Sequence, residues 1–125
     1  MSFGHALRTF REERGFSLRE FGKLCGIDHA YIHRLEKDEK TDPSPDTIDS
    51  FVRTLKLTPR KARMLRFLVG RTGLNDLIDV FLEDGERSLD SFETTAQTSF
   101  RGKRPSNKEE WRRAADRIEE MLKDL

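Results

Sequence analysis

Two short amphipathic stretches separated by a three-residue turn limit most tightly what this chain can fold into. Ser17-Leu18-Arg19-Glu20 fits a capping box: the Ser17 hydroxyl accepts from the backbone near Glu20, and the Glu20 carboxylate reaches back. Leu18, Phe21, Leu24 and Cys25 then form the apolar stripe of a helix. Gly26-Ile27-Asp28 ends it as a tight turn. Gly26 tolerates positive φ, and Asp28 is suited to N-cap a next helix from about His29 to Lys37, with Ile32 and Leu35 facing inward.

The same punctuation extends in both directions. Phe3, Leu7, Phe10 and Arg11 lie at helical spacing and stop at Gly15. After the loop from Asp38 to Pro43, Ser44-Pro45 opens a fourth helix whose core face is Ile48, Phe51, Val52 and Leu55. Thr58-Pro59 repeats the signal for a fifth, with Met64, Leu65, Leu68 and Val69. No segment here alternates like a strand, so residues 1–70 read as a five-helix, all-α domain. Beyond Gly70, Leu74, Leu77, Ile78, Phe81 and Leu82 predict an amphipathic helix that ends at Gly85. Residues 86–105 are rich in Ser and Thr and read as a long connection. Ser106-Asn107-Lys108-Glu109 is read as a further capping box. The last helix it opens carries Trp111, Ala114, Ala115, Ile118, Leu122 and Leu125 on one face. Residues 71–125 are therefore expected to form a helical extension.

Composition removes several function classes. Lys and Arg total 24 against 23 Asp and Glu, so the 125-residue chain is neither a basic nucleic-acid arm nor an acidic tail. One cysteine, Cys25, excludes an intramolecular disulfide framework and a multi-cysteine zinc site. No apolar run has the length of a membrane span and no signal peptide is visible, which together predict a soluble, cytoplasmic protein. The near-neutral sum is uneven. Residues 1–70 hold 14 basic and 10 acidic side chains, whereas seven acids and one base lie between Leu74 and Glu93. A polyanion is drawn to the first part and repelled by the second.

The stretch from Ser17 to Glu36 resembles the Cro and phage-repressor (Xre-type) helix-turn-helix family. The flanks agree: Leu7-Arg8-Thr9-Phe10-Arg11-Glu12-Glu13-Arg14-Gly15 matches that family's first helix, and Pro43-Ser44-Pro45-Asp46-Thr47 its fourth-helix start. The resemblance covers about residues 3–70. It implies duplex DNA as the partner, with the third helix in the major groove and His29, Ala30, His33 and Arg34 as base readers. Arg34 is suited to guanine O6 and N7, and the Ala30 methyl to a thymine methyl. Ser17, Arg19, Tyr31 and Lys40 are placed for phosphate, and Arg11 with Glu36 for an ion pair joining the first and third helices. The chain departs from the family pattern at Leu18, where Gln is usual, at Asp38, where Gly is common, and at Gly22, where Ala is usual. The last change costs about 1 kcal/mol of helix propensity.

Other readings compete with this one. His29 and His33 spell HxxxH, but a zinc peptidase needs Glu where Ala30 stands, and no third ligand is evident. Cys25 reads as a packed thiol rather than a redox sensor. Arg101, Lys103 and Arg104 read as a flexible basic linker, with a DNA-contacting arm as the alternative. No phosphate-binding glycine loop, metal triad or nucleophile constellation is present, so an enzyme and a cofactor are not expected. The expected function is a sequence-specific transcriptional repressor, nucleoid-associated when bound to DNA. It would act as a homodimer on a palindromic operator, with Leu77, Phe81, Trp111, Ile118 and Leu122 as candidate dimerisation residues. The alternative is an antitoxin or partner-neutralising protein that represses its own operon. The resemblance also leaves room for a toxin partner or a cleaving peptidase.

Overall fold

The computed structural model describes residues 2–100 and 102–125, and among these it contains eight helices and no strand. The chain divides into two compact units, one through Gly73 and one from Leu74 onward.

The first unit holds α1 (Ser2–Glu13), α2 (Leu18–Cys25), α3 (His29–Glu36), α4 (Pro45–Leu55) and α5 (Pro59–Phe67). Each start after α1 is set locally. Ser17, Ser44 and Thr58 accept from the backbone N–H three residues on, and Asp28 accepts from Ala30 N–H. These caps satisfy donors that a helix N-terminus leaves without a partner. The core is built from Leu7, Phe10, Phe21, Ile32, Leu35, Phe51, Leu55, Met64, Leu65 and Leu68, all essentially inaccessible. The rings of Phe21 and Phe51 lie 5.3 Å apart and fasten α2 to α4.

Leu24 departs from the sequence reading. It is 60 % exposed, whereas α2 buries Phe21 and Gly22 and half-buries Leu18 and Cys25. At about 100° per residue, those four share a face and Leu24 lies about 110° from its centre. The inclusion of Gly22 in the contact face rotates Leu24 into solvent. Burial pushes the Cys25 thiol pKa up, and its Sγ–H points at the Gly22 carbonyl at 3.8 Å.

The second unit holds α6 (Asn75–Glu83), α7 (Leu89–Gln97) and α8 (Lys108–Lys123). Helix α7 corrects the expectation of a long connection over 86–105. Ser88 caps it by accepting from Asp90 N–H, and Leu89, Phe92 and Thr95 turn inward, with Phe92 edge-on to Phe81 at 5.1 Å. The start of α8 also differs. Its N-cap is Asn107 rather than Ser106, accepting from Glu110 N–H at 2.8 Å, while the Glu110 carboxylate accepts from Ser106 N–H at 3.2 Å. Arg87, the base within the acidic stretch, ties the α6–α7 loop to α8 through Asp116 at 2.9 Å and Glu119 at 3.3 Å.

Leu77, Phe81 and Trp111 are buried within the protomer, which corrects their assignment to a dimer surface. Phe100 stands edge-on to Trp111 at 5.8 Å, and the Arg104 guanidinium lies 5.2 Å from the same ring. Arg104 is thus placed on an aromatic face, Lys103 is exposed, and Arg101 lies outside the described residues. Ile118 and Leu122 are half-buried, whereas Met121 and Leu125 are exposed.

Candidate nucleic-acid interface

Helix α3 is held on three sides, and each attachment follows from a particular residue. Ile32 and Leu35 are fully buried and fix its inner face. At its far end, Arg11 and Glu36 meet side to side: Arg11 Nε donates to Glu36 Oε2 at 2.7 Å and Nη2 to Oε1 at 3.0 Å. The third arm of the guanidinium, Nη1, donates to the Phe16 carbonyl at 2.7 Å. Both residues are only 9 % exposed, and the pairing with Glu36 raises the Arg11 pKa further above its ordinary range. A two-pronged pair of this kind fixes orientation because both partners are planar.

Two close approaches do the rest. A Cβ on Gly22 would stand 2.7 Å from the Ile27 carbonyl and 3.1 Å from the His29 nitrogen, inside the turn that leads into α3. A Cβ on Gly4 would stand 2.4 Å from the Glu36 carbonyl and 2.6 Å from that of Leu35, so α1 lies directly on the end of α3. Gly26 closes the turn with φ +72, the left-handed conformation a glycine adopts without cost. From sequence alone, Gly22 is only a loss of helix propensity and Gly4 carries no signal. Both are contact positions, and only the three-dimensional packing reveals them.

What α3 leaves outside is a polar edge. His29, Ala30, His33 and Arg34 are all exposed and fall on one side of the helix, opposite Ile32 and Leu35; Tyr31 is half-buried at the margin. His29 Nδ1 lies 3.9 Å from the Asp28 carboxylate. Past the helix, Asp38 takes φ +60 and the chain folds back, so that Glu39 and Lys40 N–H groups both point at the Arg34 carbonyl, at 2.9 and 3.3 Å. Lys40 is exposed there. On α2, Arg19 is exposed, and the Ser17 oxygen already accepts from Glu20 N–H at 3.1 Å. Ser17 N–H in turn donates to the Glu20 carboxylate at 3.0 Å, which lowers the Glu20 pKa. His29 and His33 join no group of three His, Cys, Asp or Glu suited to a metal among the described residues.

Such an element, a capped α2, a glycine turn and a firmly held α3 with a polar outer edge, lies within the part of the chain that matches a family model. The model is described as a helix-turn-helix domain and matches residues 2–65. The chain belongs to the Xre-type helix-turn-helix family of transcriptional regulators. Among its relatives is the HTH-type transcriptional regulator DdrOP3 of Deinococcus deserti, 30% identical over 118 residues, which cover 89% of this chain and 91% of that protein. The HTH-type transcriptional repressor RghR of Bacillus subtilis is 36% identical over 56 residues, covering 45% of this chain and 42% of that protein. The likeness to the first relative runs through both units of this helix-turn-helix protein, and no helix in its described residues is long and apolar enough to cross a membrane.

Proposed function

We propose that this helix-turn-helix protein is a dimeric, sequence-specific repressor that reads a palindromic operator with α3 in the major groove. The observation that carries the reading is the outer edge of α3: His29, Ala30, His33 and Arg34 are exposed together on a helix whose inner face and both ends are fixed. Side chains on a helix held in this way reach base edges without an ordering cost for the backbone. Arg34 donates in pairs to guanine O6 and N7, His29 and His33 donate or accept at base edges, and Ala30 packs on a thymine methyl. Ser17, Arg19, Tyr31 and Lys40 flank that edge and contact phosphates. The relatives' names, a transcriptional regulator and a transcriptional repressor, support regulation as the outcome of binding.

Selection of bound fragments from a genomic duplex library tests this, followed by the Arg34→Ala variant on the selected site. A palindromic consensus is expected. The variant should lose about 1–3 kcal/mol of discrimination, roughly 5- to 150-fold, at one or two base pairs per half-site while its melting curve is unchanged. Unchanged base preference in Arg34→Ala would show that α3 does not read through this edge.

A further inference from the structure

The net positive charge of the first unit does not come from the helix-turn-helix. From Gly15 to Ser44, which contains α2, α3 and the following loop, five basic residues stand against six acidic ones. From Ser50 to Asn75, which contains the second half of α4 and all of α5, there are seven basic residues and no acid. Glu36, one of those six acids, is already paired with Arg11, so the element that presents base-reading side chains carries no surplus of either sign, and the segment that follows carries a positive one.

That surplus is at the surface. Arg53, Lys56, Arg63 and Arg66 are exposed. The acids that pair with this segment come from outside it: Asp49 with Arg66 at 2.8 Å and Glu13 with Lys61 at 3.1 Å. The Asp49–Arg66 pair links α4 to α5. Arg14 donates to the Leu55 and Lys56 carbonyls at 2.7 and 3.1 Å and so adds a further base beside Lys56. The apolar side chains of α5, Met64 and Leu65, are buried, and Phe67 is covered by the Arg71 guanidinium 4.0 Å from its ring. A protein-binding surface of standard kind has apolar or aromatic anchors at its centre. This one offers charge without anchors, which suits a polyanion whose phosphates are regularly spaced.

We propose that the C-terminal half of α4 and helix α5 form a second DNA surface. It holds the phosphate backbone of the operator duplex beyond the bases read by α3, and it supplies most of the protein's sequence-independent affinity. The inference rests on the reading of α3 as a duplex-binding helix. Electrostatic affinity for DNA grows with the number of phosphates neutralised, each contributing about 0.9 to the slope of log K against log salt. The helix-turn-helix adds Arg19 and Lys40 to that sum, and the segment from Ser50 to Asn75, with seven bases and no acid, contributes the larger part.

The test uses the full chain, its Arg53→Gln/Lys56→Gln/Arg66→Gln variant, the selected operator duplex and a scrambled duplex of equal length, each over a series of salt concentrations. The triple variant should bind the scrambled duplex at least about tenfold more weakly at low salt, with a slope shallower by about 2–3, and keep the operator-to-scrambled ratio within about threefold of wild type. Arg34→Ala should do the reverse, collapsing the ratio while changing the slope by no more than about one. The two readings thus fail separately: an unchanged ratio in Arg34→Ala removes α3, and a wild-type slope and affinity in the triple variant removes the second surface. If the triple variant melts early, Arg53→Gln and Lys56→Gln are measured singly, each expected to lower the slope by about 0.9, and no change in either overturns the proposal. Phosphates could also come from another duplex, so capture of a labelled duplex by an immobilised one is measured in parallel. Capture by wild type that is lost in the variant would overturn the placement on the operator duplex itself.

Discussion

Arg11 and Glu36 show how much one pair of side chains can decide in a small bundle. The guanidinium makes two bonds to the carboxylate and one to the Phe16 carbonyl, and hardly any of the pair reaches solvent. Removal of the carboxylate leaves a cation near the core that cannot lose its charge. Glu36→Ala should therefore cost about 3 kcal/mol or more, lowering Tm by more than about 10 °C, while Glu36→Gln, which keeps the shape and one acceptor, should cost clearly less. Thermal melts of the three proteins check this; a wild-type Tm in Glu36→Ala would mean that the pair does not stabilise the unit. The pair itself was legible in the sequence, because both positions belong to a pattern. The bond to Phe16 was not, since it depends on where the chain passes after α1.

Elements were legible where their signals are local. Ser44-Pro45 and Thr58-Pro59 contain the cap and the first helical residue, and both helices begin where these pairs stand. Helix α7 has the same local cap in Ser88, but its face carries few apolar residues and its Ser and Thr content imitates a loop; packing of Phe92 on Phe81 decides it. Leu24 could not be placed because the register of a two-turn helix hinges on Gly22, whose role is contact across the turn. Gly22→Ala tests that role. Helix propensity favours Ala by about 1 kcal/mol, yet the new methyl would meet backbone atoms, which have nowhere to move without shifting α3. The expected result is a net loss of about 1–2 kcal/mol and weaker operator binding; a more stable variant with full binding would show that α3 tolerates the shift.

The capping box of α2 adds a pH dependence of definite sign. Ser17 N–H holds the Glu20 pKa below its ordinary value, so the folded state favours the charged carboxylate. The resulting stability is present above the ordinary carboxylate pKa and is lost as pH falls through the lowered one. Glu20→Gln keeps the hydrogen-bonding shape without the titration. The difference in Tm between wild type and variant should be largest at neutral pH and vanish in acid. A constant difference across that range would mean that the Glu20 charge does not contribute.

For the whole molecule, charge and exposed apolar surface together restrict how two copies can meet. A face carrying Arg53, Lys56, Arg63 and Arg66 repels its own copy, so self-pairing through α4 and α5 is disfavoured. In the second unit, the inward residues of α6 and the Trp111 ring are already packed, but the C-terminal end of the α8 face that carries Trp111 is not. Met121 is 64% exposed and, with half-buried Ile118 and Leu122, makes an apolar stripe at the end of α8; Leu125, just past the helix end, is 98% exposed. Pairing along that stripe would bury it, and a two-fold dimer reads half-sites about 34–36 Å apart or a multiple of it. Met121→Glu/Leu125→Glu should not disturb the protomer, because both side chains already face solvent. Sedimentation of the wild type at micromolar concentration should give a dimer. The variant should raise the dimer Kd by at least about 100-fold, as expected from losing two buried side chains at about 1.5–3 kcal/mol each, and weaken operator binding with it. A wild-type monomer, or a variant that remains fully dimeric, would show that the α8 stripe is not where two copies join.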